Sequence, residues 1–113
     1  MSKRYTVSVT AGAERDIADI IGYIDASDSP QNADHVLDGL LAAIGKLAEL
    51  PERGSHPREL LELGVRDFRQ VFFKPYRIVY RVAASRVFVY LVADGRRDMQ
   101  ALLARRLIDE RTE

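Results

Sequence analysis

The sheet of this chain is decided by residues 65–94, which read V-R-D-F-R-Q-V-F-F, K-P, Y-R-I-V-Y-R-V-A, A-S and R-V-F-V-Y-L-V-A-D. Apolar and polar side chains alternate through much of the three longer runs, and a period of two places alternate side chains on opposite faces of a strand. The links Lys74-Pro75 and Ala84-Ser85 are short enough to be hairpin turns, so the strands are expected to pair antiparallel as a meander. The predicted strands are residues 65–73, 76–83 and 86–94.

The same alternation predicts which face of the sheet each side chain joins. In the middle strand Ile78 and Val82 are expected to face a layer of helices, and Arg77 and Arg81 the opposite, open face near the C-terminal helix. Arg69 of the preceding strand is expected on the same face as these two arginines. The last strand is apolar on both faces, which predicts a central position in the sheet. Its two expected faces are Val87, Val89 and Leu91 on one side and Phe88, Tyr90 and Val92 on the other.

The remainder of the chain predicts three helices and one more strand. Residues 4–10 alternate like a short strand, and Thr10 is a suitable N-cap for a helix with an isoleucine stripe up to Ile24. Ser29 and Pro30 suit the cap and first position of a second helix, whose apolar stripe extends to Leu47. Residues 55–64 are interpreted as a loop or a broken turn, and residues 99–107 as a closing helix. The expected fold is one α+β domain over residues 1–113, in the order β-α-α-β-β-β-α, with a helical hairpin packed on an antiparallel sheet.

Composition narrows the class of protein. A chain of 113 residues is large enough to bury a core, and 47% apolar with 30% charged residues is typical of a globular domain. There is no cysteine, so disulfides and thiolate chemistry are excluded. Neither a signal segment nor a membrane span is indicated, because no apolar stretch approaches roughly 20 residues. We therefore expect a cytoplasmic protein without a membrane partner.

The net charge of zero conceals a division between the two halves of the chain. Residues 1–64 hold 6 Lys/Arg and 11 Asp/Glu, whereas residues 65–113 hold 11 Lys/Arg and 6 Asp/Glu. Such asymmetry indicates a basic working surface on the sheet half. The alternative is that a helical half and a sheet half are solvated by different charged residues.

Arginine is the residue type that carries the candidate chemistry. His35 and His56 lack a second ligand at metal-binding spacing, and no nucleophile elbow or phosphate-binding glycine loop is present, so no metal or cofactor is expected. A guanidinium offers planar, forked donors to phosphate or carboxylate. The alternative for each arginine is a local ion pair, such as Arg96 with Asp94. The candidate residues for an anion-binding face, which would meet RNA phosphate or an acidic protein segment, are Arg69, Arg77, Arg81, Arg96 and Arg97.

The chain resembles the ParE/RelE toxin superfamily of bacterial type II toxin–antitoxin modules over nearly its whole length. The segments that carry the resemblance are A-E-R-D-I-A-D-I-I-G-Y-I (13–24), L-A-E-L-P-E-R-G (47–54), G-V-R-D-F (64–68), Y-R-I-V-Y-R-V (76–82) and G-R-R-D (95–98). The resemblance implies a helical hairpin on an antiparallel sheet. It also implies a hetero-oligomer with an antitoxin encoded beside the toxin, whose C-terminal segment wraps the toxin and neutralises it.

The superfamily divides into two functional classes. RelE-like members cut mRNA on the ribosome with basic residues on the sheet and a tyrosine or histidine near the C-terminal helix. ParE-like members poison DNA gyrase and lack that proton-transfer group. Arg77 matches the family arginine that contacts the cleaved phosphate, Arg96 and Arg97 lie near a second basic position, and Arg69 represents the preceding strand. A nuclease would therefore use Arg69, Arg77 and Arg97.

The segment after Asp98 favours the gyrase-poisoning class. It reads M-Q-A-L-L-A-R-R-L, without tyrosine or histidine. Acid–base groups contribute ~10²–10⁴-fold to such cleavages, and guanidinium is a poor proton carrier because its pKa is so high. We expect a toxin that arrests growth by inhibiting gyrase, as in plasmid-stabilisation modules, and that is not an enzyme. The alternative is a RelE-like ribosome-dependent mRNA endoribonuclease.

Overall fold

The computed structural model describes the backbone of residues 4–111 and the side chains of residues 4–107. The predicted element order is confirmed, with one additional single-turn helix between the hairpin and the meander. Strands β3 and β4 have the predicted bounds, and β2 begins three residues later than predicted. The elements are β1 (Thr6–Val9), α1 (Ala11–Ser27), α2 (Pro30–Gly45) with a 3₁₀ turn (Lys46–Ala48), α3 (Arg58–Leu61), β2 (Phe68–Phe73), β3 (Tyr76–Ala83), β4 (Arg86–Asp94) and α4 (Met99–Arg111).

The sheet has four strands in the order β1-β4-β3-β2. Strands β2, β3 and β4 form the predicted antiparallel meander. The N-terminal strand β1 adds to the sheet parallel to β4, with Val7 opposite Val87. Strand β4 is therefore central, as its two apolar faces predicted, and β2 is left at one edge of the sheet.

Both long helices begin at the predicted caps. The Thr10 hydroxyl accepts a hydrogen bond from the Ala13 amide, and the Ser29 hydroxyl accepts one from the Asn32 amide. A side-chain acceptor at this position satisfies an amide that the first helical turn leaves unpaired. Pro30 occupies the start of α2, where a missing N–H costs nothing.

The first hydrophobic core lies between the α1–α2 hairpin and one face of the sheet. Leu40 of α2 and Ile78 and Tyr80 of β3 are fully buried there, and Val82 packs at its margin. The predicted orientation of β3 toward the helices is thereby confirmed. One member of the predicted α2 stripe, Leu41, is half exposed and does not belong to this core.

The opposite face of the sheet is covered rather than open. Helix α4 packs Met99 and Leu103 against Val79 and Leu91, and α3 adds Leu60 to the same second core. The interpretation of residues 55–64 as a loop was wrong where α3 forms. The sheet face predicted to be open is therefore closed by α3 and α4, and only its margins are exposed.

A β-bulge in β4 corrects the faces predicted for that strand. Val79 lies opposite Leu91 and Tyr80 opposite Val89, so Tyr90 is an extra residue on β4. An extra residue reverses the alternation beyond it. Leu91 consequently joins the second core, and Val92 the first, each on the face opposite to the predicted one.

Arg69 was also assigned to the wrong face. It lies directly opposite Tyr80, which belongs to the first core, whereas its neighbour Phe68 belongs to the second core. Cross-strand partners share a face, so Arg69 lies on the hairpin side of the sheet and Arg77 and Arg81 on the other side. The three arginines do not form one basic face. The alternation in β2 was ambiguous because Phe68, Val71, Phe72 and Phe73 are all apolar.

Within the described residues no helix is both long enough and apolar enough to span a bilayer.

Candidate binding surface

Arg77 is held in a buried polar network between β3, β2 and α3. Its Nη1 and Nη2 donate to the two carboxylate oxygens of Glu59 at 2.9 Å each, and its Nε donates to Gln70 Oε1 at 2.9 Å. The Gln70 oxygen also accepts from Nη2. Arg77 is only 8% exposed. The backbone of Gly95 passes so close that a Cβ there would lie 3.0 Å from Arg77 Cδ, so glycine makes room for the guanidinium stem.

The ion pair strongly favours the charged form of Glu59. Hydrogen bonding from Arg77 lowers the pKa of Glu59 from 4.5 to about 2, although partial burial of the carboxyl acts in the opposite direction. A bidentate arginine–carboxylate pair combines charge with two aligned hydrogen bonds. The arginine predicted to meet an external anion is thus matched by an anion from its own chain.

The depressed pKa predicts an acid-dependent loss of stability. Because the folded-state pKa is below the ordinary value of 4.5, the stabilisation by Glu59 is complete above that pH and is lost as the pH falls toward about 2. Glu59→Gln lacks this ionisation. The difference in unfolding free energy between wild type and Glu59→Gln should therefore shrink from about pH 6 to about pH 3, measured by urea titration at each pH. A difference that stays constant with pH would contradict the assignment.

Arg69 stabilises the loop that follows α2. Its Nη1 donates to the carbonyl oxygens of Gly54 at 2.8 Å and Glu52 at 3.2 Å. The Gly54 amide in turn donates to the buried Tyr80 hydroxyl at 3.1 Å. A side chain at Gly54 would collide with Tyr80 Oη, 2.7 Å from the position of a Cβ. Arg69 therefore orders the chain next to the sheet edge.

In the turn after β4, Arg96 forms an ion pair with Asp94, which is the local alternative considered for Arg96 from the sequence. Arg96 donates from Nε and Nη2 to the two oxygens of Asp94, and these hydrogen bonds lower the pKa of Asp94 to about 2. Asp98 caps α4 by accepting from the Ala101 amide at 3.1 Å. Arg97 is exposed beside this cap. Arg96 thus pairs locally although its side chain is 82% exposed, and Arg97 is exposed as well.

Arg81 is exposed at the end of β3, opposite Phe68 of the edge strand. Among the residues that the structure describes, no hydrogen bond or ion pair involves its side chain. Of the candidate arginines, Arg81, Arg96 and Arg97 are exposed, and Arg77 is buried.

A groove of about 600 Å³ lies on the hairpin side, between α2 and the edge strand β2. Its floor is apolar, formed in part by the small residues Gly39, Ala42 and Ala43 and by the ring of Phe73. Lys46 and Arg53 add positive charge along the groove. The remaining lining residues are Gly54, Ser55, Gln70, Val71 and Phe72. An apolar floor flanked by a few charged side chains is suited to binding an amphipathic protein segment.

Sequence reasoning missed the partners that decide what the arginines can do. Glu59 lies in the segment interpreted as a loop, 18 residues before Arg77, and no periodicity connects them. A second network was also missed: Arg106 of α4 donates to both carboxylate oxygens of Asp16 at 2.8 Å each. These two residues lie 90 positions apart, so no local pattern connects them either.

The fold is similar to that of solved toxin–antitoxin structures. The toxin–antitoxin structure described as "Chromosomal ParDE TA system from P. aeruginosa" is similar with a TM-score of 0.69 and 17% identity, over 82% of this chain and 98% of that chain. The RelBE2 complex of Mycobacterium tuberculosis is similar with a TM-score of 0.54 and 24% identity, over 80% and 98%. At these identities the likeness concerns the fold. No curated protein sequence is significantly similar to this chain.

The sequence identifies the family. Residues 7–99 match the family described as "ParE toxin of type II toxin-antitoxin system, parDE". Since this match covers most of the chain, the chain belongs to the ParE toxin family of type II toxin–antitoxin systems. The ParE/RelE resemblance drawn from the sequence segments is confirmed.

Proposed function

We propose that this ParE-type toxin acts by inhibiting DNA gyrase, without catalysing a reaction itself, and that a cognate antitoxin neutralises it. The observation that carries the proposal is that Arg77 is buried and already bound by residues of its own chain. Four of the five guanidinium N–H donors are engaged by Glu59 and Gln70, and the residue is almost completely buried. An arginine in this state cannot stabilise the phosphate of a cleaved RNA without first losing its internal partners.

Proton transfer is equally poorly supported near Arg77. The carboxylate beside it, Glu59, has a pKa of about 2, and a general base is most effective when its pKa is near the working pH. The described residues that line the cavity in front of Arg77 include no histidine or tyrosine. These features favour a toxin that acts by binding its target, rather than a nuclease.

A supercoiling assay tests the proposal. Purified gyrase is incubated with relaxed plasmid and ATP, with and without the toxin, and with toxin premixed with the protein from the adjacent reading frame. We expect loss of supercoiling with toxin alone and recovery with the mixture. Full supercoiling at excess toxin, together with mRNA cleavage in a translating extract, would favour the RelE-like alternative instead.

The groove between α2 and β2 is the proposed docking site for the antitoxin. Its apolar floor and the positive charges of Lys46 and Arg53 are complementary to an amphipathic, acidic segment. The structural neighbours are toxin–antitoxin systems by their descriptions, which supports a complex of the same kind. Because α3 and α4 close the other side of the sheet, that segment can meet basic side chains there only at exposed margins such as Arg81.

Charge reversal at Arg81 tests whether the antitoxin segment reaches that margin. Arg81→Glu should weaken the complex about 3- to 10-fold, because a like-charge contact at an interface rim costs on the order of 1 kcal/mol. Affinity is measured by calorimetry with the antitoxin, and the loss should diminish at high salt. Arg15→Glu is the matched control: Arg15 is exposed on α1, on the other side of the sheet, and its substitution changes the net charge by the same amount. Unchanged affinity for Arg81→Glu would place the antitoxin segment elsewhere.

A further inference from the structure

The segment of residues 52–55 is held along the edge strand β2, although it belongs to no helix or strand. Ser55 and Gln70 form an isolated antiparallel bridge. The Ser55 amide donates to the Gln70 carbonyl oxygen at 3.2 Å, and the Gln70 amide donates to the Ser55 carbonyl oxygen at 2.7 Å. Because β3 pairs with the other side of β2, this bridge covers part of an edge that would otherwise be open.

Two side chains of the sheet hold the same segment. Arg69 Nη1 donates to the carbonyl oxygens of Glu52 and Gly54. The Gly54 amide donates to the hydroxyl of Tyr80, which is fully buried. A Cβ at Gly54 would collide with this hydroxyl and with the Gln70 carbonyl oxygen, so glycine is required for the close approach. The backbone of the segment is therefore fixed at both of its ends.

Arg53 lies between the two residues whose carbonyl oxygens Arg69 holds. Its side chain is exposed and lines the groove between α2 and β2, together with Gly54 and Ser55. Within the part of the chain that the structure describes, no hydrogen bond or ion pair involves the Arg53 side chain. Arg69 itself is not among the residues that line the groove. The groove thus presents a free guanidinium on a backbone that Arg69 holds in place.

We infer that Arg69 is a positioning residue for antitoxin binding: it holds the segment of residues 52–55 against β2 and thereby fixes Arg53 over the groove. The inference rests on the groove being the docking site for an acidic segment, as proposed above. A charged side chain on an ordered backbone loses less conformational entropy on binding than one on a loose loop. Arg69 therefore contributes to affinity through Arg53, without contacting the antitoxin.

A double-mutant cycle on antitoxin affinity tests the inference. The purified protein from the adjacent reading frame is titrated by calorimetry at about 50 mM salt, where charge screening is weak. Arg53→Ala and Arg69→Met should each weaken binding about 5-fold, and methionine retains part of the apolar stem of arginine. The double variant should bind less than about 2-fold more weakly than either single variant, because both changes remove the same contact. Multiplied effects, about 25-fold in total, would overturn the inference.

Tyr80→Phe tests the segment from its other attachment. The substitution changes no charge, and Tyr80 cannot contact a partner because it is fully buried. It should nevertheless weaken binding about 3-fold, and this loss should disappear in the Arg53→Ala background. If Arg69→Met does not fold, the cycle of Tyr80→Phe with Arg53→Ala decides in the same way. Hydrogen exchange at the Gly54 and Ser55 amides should be faster in both variants, and unchanged exchange with unchanged affinity would refute the inference.

Arg15→Ala is the matched control for Arg69→Met, because Arg15 is exposed on α1 and its substitution removes one positive charge as well. It should bind the antitoxin like wild type. If Arg53→Ala and Lys46→Ala both leave the affinity unchanged, the groove is not the docking site, and the inference fails together with that proposal. If these two variants weaken binding and Arg69→Met does not, the docking site stands and the inference alone is overturned.

Discussion

Arg77→Ala should destabilise the chain by about 3–5 kcal/mol, which is the expected cost of breaking a buried ion pair from one side. The substitution leaves Glu59 without its cation and Gln70 without its donor, beside a guanidinium position that is only 10% exposed. An exposed arginine on an open basic face would behave differently, because its removal changes stability by about 0.5 kcal/mol or less. The measurement is a urea unfolding curve, whose midpoint should fall by about 2 M.

Two further variants make the Arg77 result specific. Arg81→Ala, at the exposed end of the same strand, should leave the midpoint nearly unchanged. The double variant Glu59→Leu with Arg77→Met should recover most of the lost stability, because apolar residues of similar size replace both charges. Equal, small effects of Arg77→Ala and Arg81→Ala would show that Arg77 is not buried in an ion pair.

Asp16→Ala should lower the free energy of unfolding by about 3 kcal/mol and loosen the packing of the C-terminal helix. The Asp16 carboxylate accepts two hydrogen bonds from Arg106 and a third from the Val92 amide at 3.0 Å. Strand β1 ends opposite Val89, so the Val92 amide lies beyond the pairing with β1 and donates to Asp16 instead. A buried amide without an acceptor costs about 1–3 kcal/mol, and loss of the ion pair adds to this.

Asp19→Ala is the matched control for Asp16→Ala, because Asp19 is exposed one turn further along the same helix. Its effect should be about 0.5 kcal/mol or less. Hydrogen exchange adds a local measurement: the amides of α4 should exchange faster in Asp16→Ala, since Arg106 also donates to the Tyr90 carbonyl oxygen at 2.7 Å and links α4 to β4. A loss below about 1 kcal/mol with unchanged exchange would refute the role assigned to Asp16.

Most of the fold could be predicted because it follows from local regularities. Alternation identified β3 and β4 with their bounds, and Thr10 and Ser29 marked both helix starts through capping chemistry. The exceptions arise where a regularity is interrupted. Helix α3 has only four residues, too few for a helical period, and the bulge at Tyr90 reverses an alternation that was correct up to that point. The parallel pairing of β1 depends on contacts between distant segments, which no local pattern records.

The binding surface could be predicted less well than the fold. Residue type alone identified the arginines, but their availability depends on partners that only the folded chain brings near. Arg77 is neutralised by α3, Arg69 lies on the opposite face and orders a loop, and Arg96 pairs with Asp94. The lining residues of the groove beside α2 come from three separate segments, which no local pattern brings together.

The most direct test of the account is whether this toxin traps gyrase on cut DNA. Gyrase, ATP, plasmid and toxin are incubated together, and the reaction is stopped with detergent and protease to release any broken DNA. We expect linear plasmid in an amount that increases with toxin concentration. It should disappear when antitoxin is added first. Arg81→Ala should still produce it if Arg81 contacts only the antitoxin. Intact plasmid at every toxin concentration, with supercoiling unaffected, would contradict the central claim that this chain is a gyrase inhibitor.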